Sequence, residues 1–289
     1  YRELRFMKVL IIGLNSFVAK YFIGSCEDSK IDYVACSHQD IPKSFDGFTW
    51  VINFTINPKF FTHKYSESID QDIFVAKLVS EYKDLKYAMI SSRMVYGSDN
   101  SLIPIAESCK VMQKPNSIYG SNKVLSECNV RSIIKPHNLL IIRASNIFGY
   151  EFGRKSFTGA ALNRLARKSE ILLDISQKTI RDFIPVNYFS NCLMQLMFKK
   201  SSGVYNIGSG IGVSLEDLCN AMIKGYGSGH IATEIAAEIN DQFILDNQKM
   251  LGVVDFSINK SNILEYAMNV GNELKIEQEC VTKVEENNV

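Results

Sequence analysis

Proline is scarce, 6 in 289 residues, and no low-complexity tract interrupts the chain, which excludes collagen-like and disordered classes. No charge of one sign prevails: 32 Lys and Arg face 31 Asp and Glu, for a formal net charge of +1. Such a chain casts no long-range positive field, so neither nucleic acid nor an anionic membrane surface is an expected partner. There is no C-x-x-C pair. The 7 cysteines, Cys26, Cys36, Cys109, Cys128, Cys192, Cys219 and Cys280, are odd in number and scattered, which points to a reducing cytoplasm and away from zinc or dithiol chemistry. No metal site is expected. Long apolar runs are missing too: Val9-Leu10-Ile11-Ile12, after Arg5 and Lys8, is broken at once by Gly13, Asn15 and Ser16, so it reads as a strand rather than an export signal or a membrane span. Met7 reads as a start, which makes Tyr1 to Phe6 an appended or upstream segment.

What is present is an ordinary globular composition, 46% apolar and 22% charged. The length suits one large α/β unit, alone or carrying a smaller lobe. Apolar runs near 7-12, 31-36, 49-54, 86-91 and 138-143 alternate with segments of helical period near 16-25, 66-83 and 117-134. That alternation predicts a doubly wound parallel sheet. After about residue 150 the rhythm loosens into helices near 156-168, 187-199 and from Ser214 onward, which predicts a second, smaller lobe. Gly225 to Gly229 reads as a loop, and the terminal Glu285 to Asn288 as frayed.

The first strand-to-helix turn, Gly13-Leu14-Asn15-Ser16-Phe17-Val18-Ala19, lies where a dinucleotide site needs a glycine for the tight turn, a second for close approach to the pyrophosphate, and a small residue for packing. Gly13 and Ala19 suit the first and third positions. Ser16 brings a side chain to the second, where its hydroxyl would donate a hydrogen bond instead. The same residues also suit a turn that binds nothing. After the second strand, Ser37 and His38 stand where an acid would grip a ribose 2′-hydroxyl, which leans towards NADP over NAD.

Tyr119 and Lys123 are four apart and hence on one helical face, an arrangement in which a fixed cation makes a phenol easier to ionise and fit for acid/base work. With 13 tyrosines about one such spacing arises by chance. A second indeed exists, Tyr82 and Lys86, in a charged helix end that reads as solvated surface. Tyr119 instead opens a helix, downstream of a strand ending in Ser91-Ser92. Ligands of doubly wound sheets sit beyond the carboxyl ends of strands, so Ser92 is placed to bind the oxygen whose proton Tyr119 moves.

The blocks Ser91-Ser92-Arg93-Met94-Val95-Tyr96-Gly97, Pro115-Asn116-Ser117-Ile118-Tyr119-Gly120-Ser121-Asn122-Lys123 with Glu127, Ile142-Arg143-Ala144-Ser145-Asn146-Ile147-Phe148-Gly149, Arg181-Asp182-Phe183-Ile184-Pro185-Val186 and Tyr205-Asn206-Ile207-Gly208-Ser209-Gly210 resemble the extended short-chain dehydrogenase/reductases that act on nucleotide sugars. The resemblance runs from Met7 to about residue 265. It implies a Rossmann-type NAD(P)-binding domain over 7-150, with 181-206 returning to it, and an α+β substrate lobe from 151-180 and 207-280. It implies Ser92, Tyr119 and Lys123 as the catalytic set, Lys123 also reaching the nicotinamide ribose. It adds Gly13, Ser16, Phe17, Val18 and Ser37 as cofactor contacts, Asn146 and Arg181 as substrate contacts, and a homodimer paired through the helix that carries Tyr119. A local ion pair with Asp182 is the other reading of Arg181, and Arg143 reads as structural.

Three departures stand out. Asp72 occupies a position where relatives usually carry asparagine, Asn187-Tyr188 replaces an acidic pair, and the short spacing before Thr49-Trp50-Val51-Ile52 implies a shortened or missing strand-helix unit. Relatives that perform 4,6-dehydration carry Asp-Glu after the catalytic hydroxyl residue; here Arg93-Met94 stand there, which disfavours dehydration. Reduction of a 4-keto-6-deoxy sugar nucleotide, plausibly towards a surface polysaccharide, is the expected reaction. A 4-epimerase retaining NAD and a non-catalytic NAD(P)-binding regulator are the alternatives.

Overall fold

Every side chain of Val9-Leu10-Ile11-Ile12 is fully buried, and alternate ones enter two different cores: Val9 and Ile11 on one face, Leu10 and Ile12 on the other. A strand buried on both faces must lie at the centre of a sheet covered twice. In the computed structural model, which describes residues 7–97, 100–111, 117–234 and 238–286, this is what is found. Tyr1 to Phe6, Lys114 to Asn116, and Asn287 and Asn288 lie outside the described residues.

In chain order the strands are β1 Lys8–Ile12, β2 Asp32–Cys36, β3 Trp50–Asn53, β4 Lys86–Ser92, β5 Leu139–Ala144, β6 Asn146–Phe148, β7 Glu170–Leu173, β8 Ile180–Pro185, β9 Gly203–Ile207, β10 Gly212–Ser214 and β11 His230–Thr233. The helices are α1 Phe17–Asp28, α2 Gln71–Ser80, α3 Ile118–Ile133, α4 Phe157–Lys168, α5 Val186–Phe198, α6 Leu215–Tyr226, α7 Gln248–Leu251 and α8 Lys260–Glu286. Six strands form a parallel sheet in the order β2-β1-β3-β4-β5-β9. The order reverses between β1 and β3, which opens a crevice beyond their carboxyl ends. The chain passes from β2 to β3 without a helix, as the short spacing implies.

One face of the sheet packs on α1 and α5 through Phe22, Phe189 and Leu193, the other on α2 and α3 through Val75, Val79 and Val130. Each such side chain, fully buried, stabilises the fold by roughly 1.5–3 kcal/mol. The helical segment expected over 66-83 is divided, because Asp70 ends a short 3-10 turn, Glu67–Ile69, and caps α2 by accepting from the Asp72 and Ile73 N–H groups.

The remaining segments form a second lobe. It contains a three-stranded sheet, β10-β8-β6, a two-stranded sheet, β11-β7, and helices α4, α6 and α8 around Leu162, Leu218, Met222 and Ala267. Of the stretch expected to return to the large sheet, α5 and β9 do so, whereas β8 pairs in the small one. Gly225 is not in a loop: it closes the last turn of α6, and the helix ends at Gly227 with φ +95°. The reason is packing. A Cβ on Gly225 would lie 1.8 Å from the Met268 carbonyl oxygen, and one on Gly271 of α8 would lie 2.0 Å from that of Met222, so the two helices touch backbone to backbone. Among the described residues no helix is long and apolar enough to cross a membrane.

Candidate active site

The start of α3 sets the phenol. Ser117 caps the helix by accepting from the Gly120 N–H at 2.9 Å, so Tyr119 stands in the first turn with Lys123 one turn on. The Tyr119 ring is half-buried and stacked on Phe61, ring centres 4.8 Å apart and 15° from parallel, with Phe60 edge-on at 6.4 Å. Asn122 holds that pair in place by donating to the Phe60 and His63 carbonyls, both at 2.9 Å. Sequence reasoning missed both phenylalanines, although Asn57-Pro58, a side-chain-capped start of a 3-10 turn, was there to read.

Lys123 is buried, 4% exposed, and its ammonium donates to Asp72 Oδ2 at 2.9 Å and to the Ile90 carbonyl at 2.8 Å. Asp72, also 4% exposed, accepts at Oδ1 from Asn53 Nδ2 at 2.9 Å and from the Tyr87 hydroxyl at 2.7 Å. Burial opposes the lysine's charge, but Asp72 and then Tyr119 outweigh it and hold Lys123 above its ordinary value. It stays a cation. Two of its three N–H donors are committed, which leaves one for a phenol or a ribose.

At the end of β4, Ser92 Oγ accepts from the Met94 N–H at 3.2 Å and keeps its own proton to donate. A cavity of about 320 Å³ opens there, and Ser92, Tyr119, Asn146, Glu151 and Arg181 all line it. Four of the expected residues, from three elements and the start of a fourth, thus meet at one place. Lys123 does not line the cavity; it sits behind Tyr119.

Arg181 is not paired with Asp182. Its Nε donates to the Asp241 carbonyl at 3.1 Å and its guanidinium meets Asp241 Oδ2, also at 3.1 Å. The same carboxylate takes a two-pronged pair from Arg93, which is 5% exposed and lies 3.8 Å from the centre of the Phe243 ring. Two guanidiniums thus share one carboxylate, and of the two Arg181 lines the cavity. Burial lowers Arg181 from its ordinary value, with Asp241 opposing and Arg93 adding to the shift. Asp182 is instead buried among the Ser209 N–H and hydroxyl and the Gly210 and Leu245 N–H groups, a knot that ties β8 to the chain after β9.

Arg143 is structural, as expected. Its fork grips Glu127 at 3.0 and 2.7 Å, and Ser91 donates to the same carboxylate at 2.6 Å, which bolts α3 to β4 and β5. Tyr82 departs from the expected solvated surface: its ring stacks on Phe45, and its hydroxyl accepts from the Phe45 N–H at 2.9 Å.

A second cavity, of about 390 Å³, lies at the sheet's crevice and is lined by Gly13, Ser16, Ser37, His38, Thr55 and Arg154 among others. Gly13 has φ +100°, and a Cβ there would lie 2.7 Å from Thr55 Cγ2, so both conformation and space require glycine. Ser16 stands at the N-cap of α1 without making a side-chain cap, and the first turn holds no acid. Phe17 is buried, 7% exposed, and with Val18 packs into the core; neither lines the cavity. Ser37 does not keep its hydroxyl free: it donates to Asp40 at 2.5 Å, which brings a carboxylate to the rim that the sequence seemed to lack. Among the described residues no Asp or Glu lines this cavity, so its wall suits a diphosphate. A third and larger cavity, about 830 Å³, opens at the amino ends of β1, β3 and β4 beside Trp50 and Tyr82, at the end of the sheet away from these residues.

Residues 71–208 match the model of the NAD dependent epimerase/dehydratase family. Similar solved structures span nearly the whole chain. The dTDP-glucose 4,6-dehydratase of Bacillus anthracis, in complex with NAD, is 17% identical, with a TM-score of 0.75 over 94% of this chain and 97% of that one. UDP-glucose 4-epimerase of Thermus thermophilus, also with NAD, is 14% identical, with a TM-score of 0.72 over 92% and 99%. RMD of Pseudomonas aeruginosa, with NADPH, is 16% identical, with a TM-score of 0.73 over 92% and 99%. At such identities the structures show a shared fold. The match over 71–208 adds the sequence pattern, and that stretch holds Ser92, Tyr119, Lys123, Asn146 and Arg181. The match over 71–208 and the shared fold together bear out the resemblance to the NAD dependent epimerase/dehydratase family.

Proposed function

We propose that the protein is a nicotinamide-dependent oxidoreductase of nucleotide sugars, and that it reduces a 4-keto-6-deoxy sugar nucleotide. The observation that carries the reading is the meeting of Ser92, Tyr119, Asn146 and Arg181 in one cavity, with Lys123 behind the phenol. Gly13, Ser16 and the α1 N-terminus fit the dinucleotide, which when bound supplies the hydride. Ser92 donates to the carbonyl oxygen and orients it. Tyr119 gives its proton to that oxygen as the carbon takes the hydride, and the phenolate left behind faces the Lys123 charge. Arg181 meets the diphosphate of the sugar nucleotide with a fork suited to phosphate, and Asn146 binds beside it.

Dehydration lacks support in this site, because the position after Ser92 holds a buried arginine committed to Asp241. The absence of acids in the second cavity supports NADPH, and Asp40 at its rim supports NADH, so both are offered. Pairing of two chains through α2 and α3 belongs to the same reading: Phe74, Ile118 and Leu125 are large apolar side chains exposed there.

The test is incubation of the purified chain with NADPH or NADH and a panel of nucleotide-linked 4-keto sugars, followed at the nicotinamide absorbance. Net consumption upholds the reading. NAD retained through purification, with interconversion of sugars and no net consumption, replaces it with 4-epimerisation. Binding without turnover across the panel replaces it with a regulator.

A further inference from the structure

The cavity at the start of α1 is built almost entirely from the large sheet's own loops, with one exception. Arg154 reaches it from the second lobe. The turn that carries this residue is braced at every point. The Arg154 N–H donates to the Glu151 carbonyl at 3.0 Å, and the Gly153 N–H to Asn163 Oδ1 at 2.9 Å. Asn163 Nδ2 returns a bond to the Arg154 carbonyl at 3.2 Å. The same carbonyl presses so close to α4 that a Cβ on Gly159 would lie 2.5 Å from it. The bracing fixes where the side chain leaves the backbone, and the guanidinium, about half exposed, stands 5.8 Å from the centre of the ring of Phe17, the first residue of α1.

The carboxylates near this cavity, Glu151 beside Arg154 and Asp40 beside Ser37, stand outside its described lining. Among the described residues no Asp or Glu lines the cavity; the first turn of α1 holds no acid, and Ser16 makes no cap. Arg154 has a carboxylate neighbour in Glu151, but at 3.6 Å from Nε, longer than a hydrogen bond, so its five N–H donors are largely uncommitted. A guanidinium with spare donors facing the positive end of a helix across an acid-free cavity matches one ligand chemistry, two linked phosphates.

We propose that Arg154 is a ligand of the dinucleotide's diphosphate, supplied by the second lobe, and that it makes up for the side chain Ser16 places where the chain would otherwise approach the phosphates closely. The inference rests on the proposed function in taking the occupant to be a nicotinamide dinucleotide. It adds a residue from outside the nucleotide-binding loops and ties the two lobes together when the cavity fills.

The experiment compares wild type, Arg154→Ala and Arg154→Lys as full-length chains. Binding of NADPH, NADH, ADP and adenosine is measured by equilibrium dialysis, with thermal unfolding as a check on folding. Expected is a loss of roughly tenfold or more for both dinucleotides and ADP in Arg154→Ala, little change for adenosine, and partial recovery in Arg154→Lys. Arg154→Ala binding the dinucleotides as wild type does would overturn this proposal and leave the proposed function standing. An equal loss for adenosine would overturn it as well, because the arginine would then be shaping the cavity rather than meeting phosphate. Wild type binding neither dinucleotide would bring down both.

Discussion

Asp72 Oδ2 lies 2.9 Å from the Lys123 ammonium, and both side chains are sealed from solvent. The pair joins α2 to α3 beneath the phenol. Removing one partner of a buried ion pair leaves the other charge without compensation, at a cost of about 3–5 kcal/mol. Asp72→Asn and Lys123→Met should each lose stability on that scale, and the double variant should recover a large part of it. Chemical denaturation of all four proteins checks this. Simple addition of the two losses would show that the pair is not coupled.

Tyr119→Phe keeps the ring that stacks on Phe61 and removes only the proton-carrying oxygen. Turnover should fall by at least about 100-fold while dinucleotide affinity and thermal stability hold. Unchanged turnover rejects Tyr119 as the acid.

Burial lifts the Glu151 carboxyl above its ordinary 4.5, with Ser156 and then Arg154 opposing. The folded chain therefore holds this proton more tightly than the unfolded chain does. Its contribution to stability is full below about pH 4 and is lost as pH rises through the folded value. Relative to Glu151→Gln, wild type should lose melting temperature across that range and then level off. A difference that stays flat from about pH 4 to 7 counts against the assignment.

Leu125 is 45% exposed on α3, beside the equally exposed Ile118. If two chains pair there, Leu125→Glu should convert a dimer to a monomer in sedimentation without lowering the unfolding free energy of the single chain by more than about 0.5 kcal/mol. A wild type that sediments as a monomer removes this part of the reading.

Much of this was legible from local pattern. Val9 to Ile12 announced a central strand, Ser117 and Lys135-Pro136 bracketed α3, and the spacing of Tyr119 and Lys123 needed only helical geometry. The illegible parts depend on closure of the chain. Asp72 and Lys123 are 51 residues apart, and Arg93 and Asp241 are 148 apart, so no window along the sequence contains either pair. Asp241 carries no signal of its own, since its meaning comes from two arginines that approach it from β8 and from the turn after β4. Gly225 and Gly227 read alike as loop glycines. Only the crossing of α8 distinguishes the one that packs inside a helix from the one that ends it.

That crossing has a mechanical consequence. Helices whose carbonyls occupy the space of each other's missing side chains are keyed together and have no freedom to slide, so α6 and α8 form a single stiff strut. A methyl group at Gly271 should therefore unseat the strut as a whole.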